Sequence, residues 1–136
     1  MISQTRTHSF NYPLLDRLNM SQMPNRSLTY MRFLNLAQAI RDLPGLPDID
    51  ATEEKLLNLF AAVWYSGKNI GVMEAMEMVD DISPRTVHRR LKTMRAKGLI
   101  ALDSDHSGTK KYVVPTELTH QYFSQLGECL AKAQQE

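Results

Sequence analysis

The chain has 136 residues, a formal charge of +1 and 23% charged residues, figures expected of one globular domain rather than of a histone-like coating protein. No run of eighteen apolar residues occurs, which argues against a membrane span, and the first twenty residues lack the apolar region and cleavage site of a secretory signal. The single Cys129 permits no internal disulfide, so a reducing, cytoplasmic home is expected.

Residues 1–25 are polar and aperiodic, with Pro13 and Pro24, and read as a flexible arm. Residues 26–136 read as one domain. Tyr30, Phe33, Leu34, Ala37 and Ile40 recur at spacings of three and four, which predicts an amphipathic helix over 27–42. The segment "PGLPDID" at 44–50 ends it, since its prolines and glycine cannot continue a helix. Asp50 followed by Glu53 is the pattern of a capping box. A second helix should start there and carry Leu56, Leu57, Leu59, Phe60, Val63 and Trp64 into the core, with Gly67 as its stop.

A short segment around Ile70 leads to a helix expected near 72–79, bearing Met73, Met76 and Val79. After the turn "DDI", Ser83 is suited to the N-cap and Pro84 to the first position of the next helix, which Gly98 closes. "LIAL" at 99–102 and "KYVV" at 111–114 are β-prone runs separated by the turn formers "DSDHSGTK". They predict a two-stranded hairpin stopped by Pro115. Thr116 can cap a last helix, on which Leu118, Tyr122, Leu126 and Leu130 recur every four residues with Phe123 alongside. The expected fold is mainly α with a small β-hairpin wing. Three helices followed by a hairpin is the layout of a winged helix-turn-helix, here flanked by outer helices within 26–43 and 116–134.

The charge is unevenly placed. Between Arg85 and Lys97 stand six of the sixteen Lys and Arg residues and no acid, while eight of the fifteen acids lie in 48–81. At about 100° per residue, Val87, Leu91 and Met94 fall in one narrow sector. Arg85, Arg89 and Lys92 fall opposite, with Thr86, Arg90 and Thr93 on one flank and His88 and Arg95 on the other. A basic helix face is often only a solvated surface. This one sits on the third helix before a hairpin, where a winged helix presents its reading element to double-stranded DNA. Arg85 and Arg89 suit bidentate bonds to guanine, and Thr86 and His88 suit a base or phosphate. Lys92 and Arg95 suit the backbone. Ser83 and the free N–H groups at the helix start suit a phosphate. At the hairpin tip, His106, Ser107, Thr109, Lys110 and Lys111 can reach an adjacent groove or its phosphates.

The stretch "SPRTVHRRLKTMRAKGLIAL", the hairpin and "PTELTHQYFSQL" together resemble the MarR-type winged-helix transcription regulators. Ser83, Thr86, Val87, Arg89, Gly98, Leu99, Leu118 and Thr119 fill comparable positions, with Met94 where leucine is usual. The resemblance covers roughly residues 27–134. It implies a homodimer built by the first and last helices, the alternative for their apolar stripes being that they pack on each other within one chain; it also implies DNA contact by the third helix and wing, and regulation of transcription, with repression the expected sense. Two departures stand out: the wing has no arginine, so Lys110 or Lys111 would substitute for it, and a glutamate stands in "AMEM" where a small residue is usual.

Other groupings are weaker. Glu117 and His120 stand three apart but have no further ligand at a suitable spacing, so no metal or other cofactor is expected. Cys129 lies on an apolar helix and reads as a buried thiol rather than a redox sensor. The eight methionines serve as core filler or line a pocket for a small-molecule effector. No catalytic grouping is present, so an enzyme is not expected. Two alternatives to a promoter regulator remain open: a winged helix that binds protein, and an accessory of plasmid or phage replication.

Overall fold

The computed structural model of the chain describes residues 23–135. Among these residues five helices and three short strands follow in the order α1 (Met23–Arg41), α2 (Ala51–Trp64), β1 (Ile70–Gly71), α3 (Val72–Met76), α4 (Pro84–Ala96), β2 (Ile100–Ser104), β3 (Lys111–Pro115) and α5 (Glu117–Gln134). The fold is mainly α with a small antiparallel sheet. α2, α3, α4 and the β2–β3 hairpin are laid out as a winged helix-turn-helix, and α1 runs along α5 outside it.

The helix boundaries follow from local chemistry. Asp50 caps α2 through a complete capping box: its carboxylate accepts from Glu53 N at 2.8 Å, and Glu53 returns the bond to Asp50 N at 3.0 Å. Ser83 caps α4 with Pro84 in the first turn, and Thr116 caps α5. Gly67 and Gly98 stop α2 and α4 at φ of +88° and +82°, a left-handed conformation that costs glycine little.

One apolar cluster joins these elements. Leu56, Leu57 and Phe60 of α2, Ile70 of β1, Ala75 of α3, Val87, Leu91 and Met94 of α4, and Ile100 and Val113 of the hairpin are all buried in it. The inner face expected for α4 is therefore the observed one. Trp64 fixes α2 to the sheet by donating from Nε1 to the Val113 carbonyl at 2.9 Å. Thr116 donates to the Gly98 carbonyl at 2.6 Å and Thr119 to that of Leu99, which docks the start of α5 on the exit of α4.

Several expectations are corrected. The hairpin belongs to a three-stranded sheet of order β1-β3-β2, because Ile70 and Gly71 pair with Val113 and Tyr112. The helix expected over 72–79 ends at Met76: its buried residue is Ala75, Met73 is 68% exposed, and Val79 reaches the core from beyond the helix end. α1 starts at Met23, so the boundary of the expected arm at residue 25 falls in its first turn; residues 1–22 of that arm lie outside the described residues. Of the α1 stripe only Ala37 is buried, while Tyr30 and Leu34 face solvent. On α5 the buried positions are Thr119, Tyr122, Cys129 and Ala133, and Leu130 is exposed.

Beside the apolar cluster lies a fully buried carboxylate. Glu53 Oε1 accepts from Lys97 Nζ at 2.7 Å, Arg90 comes to 3.9 Å of Oε2, and Arg90 also pairs with Asp50 at 2.6 Å. Removing one partner of a buried ion pair leaves an uncompensated charge. Lys97→Met is expected to lower stability in urea by about 3 kcal/mol, the low end for such a break because Arg90 remains near the second oxygen. The double variant with Glu53→Gln should recover part of that loss. A Lys97→Met midpoint equal to that of the parent would contradict a stabilising role for this pair.

Candidate nucleic-acid interface

α4 owes its orientation to two of its sides. Val87, Leu91 and Met94 are at most 6% exposed and face the core. The flank bearing Arg90 and Lys97 faces the start of α2. Arg90 is held by Asp50, and Lys97 by Glu53 and by the Asp48 carbonyl at 2.7 Å. Two of the six cations in this segment thus serve the fold. The other four, Arg85, Arg89, Lys92 and Arg95, are exposed and make no ion pair among the described residues. Arg85, Arg89 and Lys92 lie opposite the buried sector, with His88 exposed beside them. The result is a positive ridge on a rod whose other sides are fixed.

The helix start is more occupied than its sequence suggests. Ser83 Oγ accepts from Thr86 N at 3.2 Å and donates to Thr86 Oγ1 at 2.9 Å, so both hydroxyls expected to be free for a ligand are engaged with each other. Val87 N donates to the Ser83 carbonyl, and Pro84 has no N–H. Among the described residues, the Arg85 amide and the hydrogen of the Thr86 hydroxyl, which accepts from Ser83, are what remain for an incoming acceptor in this turn.

Between α4 and the hairpin runs a crevice of about 120 Å³, lined by Val72, His88, Leu91, Lys92, Arg95 and Leu102. It brings His88, Lys92 and Arg95 together over an apolar floor. The wing itself projects beyond it. Lys110 is exposed and lies 5.4 Å from the Tyr112 ring centroid, a cation–π distance, while Lys111 is exposed at the start of β3. Ser107 and Thr109 are not free ligands. Their hydroxyls lie 2.6 Å apart, and Ser107 also donates to Asp105.

Asp105 organises the tip and was not singled out by the sequence, where it is one of several acids among turn formers. Its Oδ1 accepts from Ser107 Oγ at 2.8 Å and from the amides of Thr109 and Lys110 at 3.2 and 3.4 Å. Gly108 completes the turn at φ of +75°. Elsewhere, His120 Nδ1 lies 2.7 Å from the Tyr65 hydroxyl, and Cys129 is buried. Among the described residues no three His, Cys, Asp or Glu side chains are grouped to hold a metal ion, and no helix is long and apolar enough to cross a membrane.

The Ser107 hydroxyl holds the Asp105 carboxyl below its ordinary value of 3.8, with the tip amides adding to the effect. A depressed folded-state pKa gives order that is present above the ordinary value and is lost as pH falls through the lower, folded one. The tip amides 105–110 are therefore expected to keep their NMR positions down to pH 3.8 and to shift only below it. Asp105→Ala should shift them at neutral pH. A transition well above pH 3.8 would assign the order of the tip to another group.

No protein-family model matches the chain, and no curated protein matches it. Among solved structures the chain is similar to the heme-free form of PefR, at 20% identity and a TM-score of 0.48, over 89% of this chain and 95% of that one. It is similar to the heme-bound form of PefR, a heme sensor from Streptococcus agalactiae, at 20% identity and a TM-score of 0.47, over 90% and 76%. It is also similar to the ligand-free organohalide-sensing transcriptional regulator RdhR, at 14% identity and a TM-score of 0.47, over 96% and 69%.

Proposed function

We propose that this chain is a sequence-specific double-stranded DNA-binding transcription regulator of the MarR type, acting as a homodimer in the cytoplasm. The observation that carries the reading is the ridge of Arg85, Arg89, Lys92 and Arg95, exposed and unpaired among the described residues on a helix immobilised from behind. Duplex DNA offers a dense line of phosphates whose counterions such a ridge displaces. α4 enters the major groove, with Arg85 and Arg89 reading guanine and Thr86 and His88 adding contacts. Ser83 approaches a phosphate as the cap of that helix, Lys92 and Arg95 anchor the backbone, and Lys110 and Lys111 take the wing to the neighbouring groove.

Dimerisation is supported by the apolar surface that the outer helices leave uncovered. Leu28, Tyr30, Met31 and Leu34 of α1 and Leu130 of α5 are 38–60% exposed. A two-fold pair would place two copies of α4 on half-sites about 34–36 Å apart. Occupancy would then act sterically on polymerase, most simply as repression. The seat for a small-molecule effector is the cleft of about 730 Å³ bounded by α1, α2 and α5, where Phe33, Leu34 and Leu126 meet Arg41, Asn35 and Asn58.

The test is selection from random duplexes at two salt concentrations. A palindromic motif is expected. Arg89→Ala should relax base preference at a cost of about 1–3 kcal/mol, whereas Lys111→Ala should weaken all sequences alike and lower the salt slope by about one. Equal behaviour of the two variants would overturn this division of roles. Binding without any preferred sequence would overturn the regulator reading. A partner protein retained after Arg85, Arg89 and Lys92 are neutralised would favour an interaction module instead.

A further inference from the structure

We propose that Arg41 is a positioning residue for the reading helix, tying the two outer helices to the turn of α2 that holds the end of α4. For its effect on DNA the inference rests on the reading just given; for its effect on α4 it does not.

Arg41 is the last residue of α1. Its Nε donates to the Tyr122 hydroxyl of α5 at 3.0 Å, and its guanidinium pairs with the Glu54 carboxylate of α2. Glu54 is the neighbour of Glu53, and both stand in the first turn of α2. Consecutive helical residues point about 100° apart. One carboxylate therefore faces the outer helices and the other faces α4. Glu53 holds Lys97, the C-cap of α4, and Lys97 bridges in turn to the Asp48 carbonyl of the linker. Asp50, at the head of the same turn, holds Arg90 from the middle of α4.

The turn between the two clamps has little slack. The capping box binds Asp50 and Glu53 to each other in both directions, and Glu53 is fully buried. A displacement of Arg41 is passed through this turn to Lys97 and Arg90 rather than absorbed in a loop. A second tie runs from the outer helices to the same end of α4, through Thr116 and Thr119 on the Gly98 and Leu99 carbonyls. The Thr tie fixes the distance of α5 from the exit of α4. The Arg41 tie starts three residues further along α5, at Tyr122, and reaches the same end of α4 through α2, so the two ties together fix its angle. In a dimer joined by the outer helices, that angle decides how far apart the two copies of α4 lie.

The test compares full-length parent, Arg41→Gln and Glu54→Gln by amide hydrogen exchange under native conditions, where local openings are read segment by segment. Both variants are expected to raise exchange across 84–97 several-fold while the wing amides of β2 and β3 stay within twofold of the parent. Tyr122→Phe should give a smaller rise in the same segment. Arg41→Lys keeps the charge and should recover much of the protection, which separates positioning from unfolding. In duplexes whose half-sites are separated by inserts of zero, one or two base pairs, Arg41→Gln should lose several-fold of the parent's discrimination between spacings. Exchange in α4 unchanged in Arg41→Gln, or raised equally in the wing, would overturn the proposal. A parent protein that selects no duplex would overturn the DNA reading, and the exchange result would still decide this one.

Discussion

The fold turns on one carboxylate kept out of water. A buried charge costs several kcal/mol unless it is paired and hydrogen-bonded. Glu53 meets that requirement by accepting from its own N-cap backbone and from Lys97, with Arg90 at the edge of contact. The satisfaction is incomplete: among the described residues Glu53 Oε2 and Arg90 Nε have no hydrogen-bond partner. What the arrangement contributes is chiefly geometric. α4 can rotate about the Val87–Leu91–Met94 seam only by pulling Lys97 and Arg90 off two acids at the start of α2. With the core on one side and the acids on the next, Arg85, Arg89 and Lys92 have one direction left, which is outward.

The basic segment thus has two roles divided by angle rather than by residue type. Arg90 and Lys97 lie on the flank that meets α2, and the acids they meet are some forty residues earlier in the chain. Among the described residues the remaining cations have no such partners, and this makes them available to a polyanion at little cost in internal contacts. The ridge runs ten residues along α4, from Arg85 to Arg95, so it extends about 15 Å at 1.5 Å per residue. The wing extends the same surface sideways. Its tip is held by Asp105 rather than by apolar packing, so it can remain exposed and ordered together.

Local features of this architecture were legible in the sequence, because caps and periodic faces depend on near neighbours. Asp50 with Glu53, Ser83 with Pro84, Gly98, Thr116 and the inner face of α4 all stand where their chemistry places them. What escaped depends on distance or on drift. β1 is two residues long and has no period to read; it exists because β3 offers an edge. Met73, Met76 and Val79 looked like a helical face, yet the helix stops at Met76 and presents Ala75 inward. On α5, a repeat of four residues advances 40° per step, so Leu118 to Leu130 cannot stay on one straight face. The buried set Thr119, Tyr122, Cys129 and Ala133 follows the helical period and holds its sector. At the site itself, sequence showed the clustering of charge, but not that two of six cations turn inward or that Ser83 and Thr86 engage each other.

The outer helices present a different problem from the core. The apolar cluster is built almost wholly from α2 to β3, with α5 touching it through Leu118 and Phe123. α1 buries Ala37 and leaves Leu28, Met31 and Leu34 in solvent at spacings of three. Such a stripe is costly to display and does little for the winged core beneath it. Its placement makes sense if a second surface covers it, and a second copy of the same stripe is the covering the proposed dimer supplies. The helix that would meet its partner ends in Arg41, and Arg41 is joined through Glu54 to the turn that holds α4. The contact that would make the dimer and the contact proposed to orient α4 are therefore separated by a single α-helix and one side chain.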